Sequence, residues 1–301
     1  MTRDELARAV PALGAERTAV VCAMAERIAA LPGVAAVVLG GSFARGRATG
    51  SSDVDLGVFY REAAPFPQAE LRALAREWHD APAPVVTEPW VWGPWVNGGA
   101  WLTAKGQRVD WLWRSAEHVA RVIDDAEHGR FELHYGQQPP FGFFGPTYLG
   151  EVAICVPLAD PDGVVAALKR RVERYPEALR SAVVQSQVWG AQFNLESFAP
   201  KFAARGDSWA TGACLARAAH QLVLALFALH RRWLLSDKTA LAELADFAPA
   251  PRDFGARVER TLARVGASPA ELARSVAALA ALVEETIAAS GALYRRPFPR
   301  L

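Results

Sequence analysis

Cysteine is scarce in this chain. The three that occur, Cys22, Cys155 and Cys214, are far apart, odd in number and outside any CxxC pair. That spacing carries no disulfide framework and reads as reduced core thiols of a cytoplasmic protein. Histidine is sparse too, and the six present form neither HExxH nor a His/Cys cluster, which argues against a zinc site. Charge of one sign is lacking: 33 basic and 32 acidic residues leave a formal net charge of +1. A general polyanion binder would carry a basic excess, so nucleic acid is not an expected partner. Long hydrophobic runs are missing as well. The longest strongly apolar stretch, "LVLALFAL" at 222–229, is too short to span a bilayer, and no membrane association is expected. The opening "MTRDELARAV" lacks the charged-then-apolar shape of a signal peptide. No internal repeat or low-complexity tract stands out. What remains is an ordinary globular composition, 51% hydrophobic and 22% charged over 301 residues, enough for two domains.

The pattern changes along the chain. Residues 3–30 carry helical spacing, with Leu6, Val10, Leu13, Val20, Met24 and Ile28 roughly on one face, ended by "LPG" at 31–33. "VAAVVLG" at 34–40 reads as a buried strand, and Gly40, Gly41 and Ser42 form a turn after it. "FARGRA" makes at most a weak helical turn, because Gly46 disfavours it. "DVDLGVFY" at 53–60 is a second strand, "FPQAELRALAREWHD" a helix, and "PVVTEPWVW", "GAWLTAKG" and "QRVDWLWR" are further strand candidates before another helix at 116–129. After residues 150–163 nearly everything reads as helix, beginning with one that Asp160 or Asp162 can cap and ending with one opened by the capping box Ser268-Pro269-Ala270-Glu271. An α+β fold follows: a small mixed sheet with flanking helices in residues 1–158, then an all-α bundle in 159–301.

Asp53 and Asp55 stand two apart on a strand, so their side chains share a face with α-carbons roughly 6.5 to 7 Å apart. Val54, Leu56 and Val58 point the other way. Two like charges on a half-buried face repel each other and lose hydration. A divalent cation removes that cost, and Mg²⁺ takes hard carboxylate and phosphate oxygens. Asp110, in "RVDWLW", can join them if its strand lies beside 53–60. Three carboxylates from two strands can hold two metals about 3.5 to 4 Å apart. Glu88 is a weaker candidate, since Pro89 follows it and suits a strand edge. Gly40 and Gly41 allow close backbone approach, and the Ser42 hydroxyl and amide can bind phosphate oxygens. Arg45 and Arg47 are nearby cations for phosphate or for solvent.

Gly-Gly-Ser, a gap of ten residues and then Asp-Val-Asp-Leu resembles the signature of the nucleotidyltransferase superfamily related to DNA polymerase β. "GSFARGRATGSSDVDLGV" matches it at every defining position, and Asp110 resembles the third acidic residue that the family carries on a later strand. The order of a nucleotidyltransferase domain and then a helical domain looks most like the aminoglycoside and lincosamide nucleotidyltransferases and their bacterial relatives. The motif match covers residues 34 to about 115; the remainder matches in layout only. The resemblance implies an enzyme in which Asp53 and Asp55 ligate Mg²⁺, with two ions expected, on ATP or another NTP. Gly41 and Ser42, with Arg45, would contact phosphate, and Asp110 would complete the metal site or take the acceptor proton. A nucleoside monophosphate, AMP by resemblance, would pass to a small-molecule hydroxyl with release of pyrophosphate. A protein hydroxyl as acceptor, and a nucleotide-binding regulatory module without turnover, are the alternatives. A homodimer is an open assembly.

Several features lie outside the motif. Trp90, Trp92, Trp95, Trp101, Trp111 and Trp113 are six of the ten tryptophans. They read as core or interface filling, with a stacking wall for a base or a ring-bearing acceptor as the sharper alternative. Lys169, Arg170 and Arg171 read as a solvated helix face. In the helical domain, Lys201 and Lys238 are the cations that could reach a triphosphate; His220 and His230 read as core or interface histidines.

Overall fold

The alternating apolar residues of the first half form eight strands: β1 (Val34–Leu39), β2 (Val54–Tyr60), β3 (Val85–Val86), β4 (Gly99–Ala104), β5 (Gln107–Ser115), β6 (Leu133–His134), β7 (Phe143–Phe144) and β8 (Val156–Ala159). In the computed structural model, which describes residues 1–297, six of these make one sheet in the order β3-β4-β5-β2-β1-β8, while β6 and β7 pair separately. β2 and β5 run parallel and the other neighbours in the large sheet are antiparallel. The fold class is therefore α+β with a mixed sheet.

One face of the sheet is core. Val54, Leu56 and Val58 of β2 join Val109, Trp111 and Trp113 of β5 and Ala100, Leu102 and Ala104 of β4. They pack on Val20, Val21, Met24 and Ile28 of the helix Gly14–Ala29 and on Leu71, Leu74 and Ala75 of the helix Gln68–Trp78. Trp111 and Trp113 are fully buried, and each such ring hides about 200 Å² or roughly 5 kcal/mol of gross transfer free energy. The opposite face carries Asp55, Asp110 and Arg114.

The helices, in chain order, are α1 (Arg3–Ala9), α2 (Gly14–Ala29), α3 (Gly41–Ala44), α4 (Gln68–Trp78), α5 (Ala116–Glu127), α6 (Thr147–Ile154) and α7 (Val164–Arg171). The single helix expected at 3–30 is two, because Pro11 lacks an N–H and Gly14 turns the chain at φ 72°. The strand expected at 84–92 shrinks to two residues, since Pro89 follows and Trp90 has φ 69°. β8 is an addition to the expected strands. It holds Pro157, which suits the sheet edge it occupies. Asp160 accepts from the amides of Val165 and Ala166 at 3.2 and 2.8 Å and so caps α7. Lys169 is not solvated as expected: its Nζ donates to the carbonyls of Val152, Ala153 and Cys155, closing the C-terminus of α6.

By contacts the chain divides into Met1–Asp124 with Leu133–Arg174, and Asp125–Glu132 with Tyr175 onward. The division falls later than the expected 158/159, because Lys169 ties α7 to α6. The second unit is helical: α8 (Glu177–Phe193), a π-helical turn at Asn194–Phe198, α9 (Ala199–Ala204), α10 (Ser208–Leu229), α11 (Asp237–Glu243), α12 (Phe254–Leu262) and α13 (Pro269–Ser290). Gly190 lets α10 approach, since a Cβ there would meet Gln221 Nε2 at 2.2 Å. The capping box at Ser268 and Glu271 forms as its residues predict. The run 222–229 lies within α10, which, like residues 269–293, is long and apolar enough to cross a bilayer by length and composition. α10 is mostly buried, as the central helix of a bundle is.

Candidate active site

The acidic face is built from strand register. Asp55 of β2 is directly paired with Asp110 of β5, and Asp110 is paired across β5 and β4 with Trp101. Trp101 in turn pairs with Val85 of β3. On the other side of β2, the Gly40 amide donates to the Asp55 carbonyl at 2.9 Å. One row thus crosses four strands, Val85–Trp101–Asp110–Asp55, and ends at the Gly40-Gly41-Ser42 turn. Neighbouring strands lie about 4.8 Å apart, so the two carboxylates of this row are close neighbours.

The turn is fitted to the acid. Gly41 opens α3 with φ +57°, and a Cβ there would sit 1.7 Å from Asp55 Oδ2 and 2.6 Å from its Cγ. Only glycine accommodates both the backbone and the carboxylate. Ser42 follows, and its carbonyl accepts the Arg47 amide at 2.9 Å. Arg45 closes the helical turn, with its amide on the Gly41 carbonyl at 3.2 Å.

Asp53 stands just before β2. Its Oδ1 is shielded from solvent and makes no hydrogen bond. Arg108 Nε lies 2.6 Å away as an ion pair, off the line a hydrogen bond needs, and the Arg108 side chain is 67% exposed. Asp55 is pushed up to about 6, first by burial and then by the charges of Asp110, Asp53 and Glu151, with Arg114 opposing. Asp110 is also raised, by burial and then by Asp53, with Arg108 opposing. All three carboxylates therefore feel one another. Among the described residues, however, no three His, Cys, Asp or Glu side chains converge into a ready-made metal cage.

A buried cation completes this face. Arg114 follows Asp110 on the same side of β5 and is 5% exposed. Its Nε and Nη2 donate to Glu151 at 2.9 and 3.0 Å, its Nη1 donates to the Trp113 carbonyl at 3.0 Å, and it lies 5.0 Å from the Tyr148 ring centroid. Burial alone would lower its pKa, but Glu151, Tyr148 and Asp55 outweigh burial and hold the proton more firmly. Arg114 belongs to no motif in the sequence. The signal was its position: four residues after Asp110 in a strand, hence on the same face. Glu151 and Tyr148 of α6 carried no comparable signal.

The structure thus brings together Asp53, Asp55, Asp110, Gly41 and Ser42, with Arg45 one helical turn beyond. Glu88 pairs with Arg72 at 3.4 Å, apart from the carboxylate row. Lys238 belongs to the second unit, at the start of α11, where its amide donates to Ser236 Oγ at 3.2 Å.

Residues 21–87 match the sequence model of the nucleotidyltransferase domain. The chain carries a nucleotidyltransferase domain. The match holds Gly41, Ser42, Asp53 and Asp55 and stops before Asp110. Residues 148–238 match a domain of unknown function (DUF4037), which begins at Tyr148, includes Glu151 and ends at Lys238. No curated protein matches the chain. Among solved structures, the chain is similar to a nucleotidyltransferase-like protein from Exiguobacterium sibiricum, with 12% identity over 89% of this chain and 74% of that one, at a TM-score of 0.46. The nucleotidyltransferase domain is the part of the chain that holds the Gly-Ser turn and the first two carboxylates, and nucleotidyl transfer is the chemistry it supports.

Proposed function

We propose that the protein transfers AMP from ATP to a hydroxyl of a small-molecule acceptor, with pyrophosphate as the leaving group and Mg²⁺ as the metal. The observation that carries this reading is the row in which Asp110 and Asp55 lead directly to the Gly41-Ser42 turn. The Gly41 and Ser42 amides, the Ser42 hydroxyl and Arg45 would bind the β- and γ-phosphate oxygens. Asp53, Asp55 and Asp110 would hold the metal. Their donor set fits: hard carboxylate oxygens, one of them a shielded Asp53 Oδ1 with no hydrogen bond, and an Asp55 whose charge is costly without a cation. Bound Mg²⁺ supplies neutralisation of charge on the phosphate oxygens. Asp110, paired with Asp55 in the strand register, would complete the metal site or take the acceptor's hydroxyl proton. Arg114, locked by Glu151, keeps one fixed positive charge under the acidic face.

The test is incubation of purified protein with α-labelled ATP and a cell extract. Label on a small molecule is the expected result; label on protein, or ATP binding without any label, overturns the choice of acceptor or of catalysis. Asp53→Asn and Asp55→Asn should each lower transfer by roughly a thousandfold while leaving the fold intact. Wild-type turnover in either variant would remove the carboxylates from the mechanism, and equal ATP affinity in Mg²⁺ and in EDTA would remove the metal.

A further inference from the structure

The tryptophan beside the acids is unexplained by phosphate chemistry. Trp101 is 47% exposed although it sits in the middle of a strand inside a sheet. Its register partner is Asp110, so the indole rises from the same face as the carboxylates, one strand away. Trp92 stacks on it with ring centroids 4.2 Å apart and an interplanar angle of 29°. Trp92 is held by a stapled loop: Gln137 Nε2 donates to the carbonyls of Trp92 and Val96 at 2.8 and 3.2 Å, and Gln137 Oε1 accepts from the Trp95 amide at 2.8 Å. Val85, 56% exposed, extends the apolar floor beyond Trp101. The core tryptophans of β5 behave differently: Trp111 and Trp113 point to the opposite face and are fully buried. Trp101 and Trp92 therefore form a rigid, solvent-facing indole platform at the end of the row opposite the Gly-Ser turn.

That position has a chemical consequence. In displacement at phosphorus the attacking and leaving oxygens lie roughly in line. With pyrophosphate leaving toward Gly41 and Ser42, the attacking hydroxyl must arrive from the far side of the carboxylates, over β5 and β4. Trp101 is what an incoming acceptor meets there. We infer that the Trp92–Trp101 pair is the acceptor platform, and that the acceptor is a hydroxyl-bearing ring whose apolar face stacks on Trp101 while its hydroxyl reaches Asp110. This rests on the reading of Asp53, Asp55 and Asp110 as the transfer site. A sugar ring and an aromatic ring share this chemistry, because each offers an apolar face with polar groups at its rim. Trp101 is a specificity-determining residue in this scheme; the proton moves from the ring hydroxyl to Asp110 as its oxygen bonds the α-phosphorus and the bond to pyrophosphate breaks.

The experiment uses the full chain, α-labelled ATP and the small-molecule fraction of a bacterial extract, with the labelled product identified by mass spectrometry. A product carrying AMP on a sugar or aromatic ring supports the platform and tells the two sources apart. Label on an acyclic molecule overturns it, as does an absence of label. The acceptor found is then titrated against wild type, Trp101→Ala and Trp101→Phe. The alanine variant should raise the acceptor KM by about tenfold or more, with MgATP affinity within about twofold of wild type, and phenylalanine should restore most of the loss. An unchanged acceptor KM in Trp101→Ala overturns the inference while the transfer site stands. Loss of MgATP affinity in that variant, with an intact fold, assigns the ring to the nucleobase and also overturns it. If wild type neither binds MgATP nor transfers label, the underlying transfer site fails with it.

Discussion

Asp55→Asn should make the metal-free protein more stable while destroying its activity. The Asp55 carboxyl stands at about 6 rather than 3.8, because burial and the neighbouring acids disfavour its charge. At 1.36 kcal/mol per unit, holding it ionised costs the folded state about 3 kcal/mol at neutral pH. An amide removes the charge but must satisfy its own polar atoms beside Gly41, so a net gain of about 2 kcal/mol is expected. Such a gain raises the melting temperature of a unit of this size by about 4 to 8 °C. The pH dependence has a definite sign. The folded state holds this proton more tightly than the unfolded state, so the wild-type protein loses stability as pH rises from 3.8 through about 6. The advantage of the variant is therefore absent near pH 4 and complete above about pH 7. Seven of the ten tryptophans lie in the first unit, so intrinsic fluorescence in EDTA reports its unfolding. Adding Mg²⁺ with ATP should stabilise wild type and leave the variant unchanged. A variant no more stable than wild type at pH 8, or equally favoured at pH 4 and pH 8, would refute the electrostatic account of this strand.

Two further outcomes test the surroundings of the acid. Gly41→Ala puts a methyl 1.7 Å from Asp55 Oδ2 at a φ of +57°; it should cost about 1–2 kcal/mol of stability but lower transfer about a hundredfold or more, so a melting curve and a turnover number measured together separate the two effects. Arg114→Met strands Glu151 and removes the charge that tempers Asp55; it should cost about 2–4 kcal/mol and move the acidic limb of the pH–rate profile upward. Adding Glu151→Gln should recover much of the stability, and a double variant as unstable as the single one would contradict the pairing.

Within single strands and turns, much was readable beforehand. Period-two alternation assigned Asp53 and Asp55 to one side of β2 and Val54, Leu56 and Val58 to the core. The capping box at Ser268 and the Asp160 cap were legible for the same reason, since their partners are three to six residues apart. Misreadings arose where distant parts decide. The two-residue β3 and the edge strand β8 depend on what pairs beside them. Lys169 was legible as a charge, but the carbonyls it caps belong to another helix.

By itself, then, the sequence determined the Gly-Ser turn, its interval to the paired aspartates and the side of the strand they occupy. Each is set by backbone geometry over a few residues. Only the tertiary structure decided that β5 lies parallel to β2, skipping β3 and β4, and so that Asp110 stands against Asp55. The same pairing brought Trp101 into the row and buried Arg114 against Glu151. Strand order and register are settled by packing between residues far apart in the chain, and no local pattern contains them.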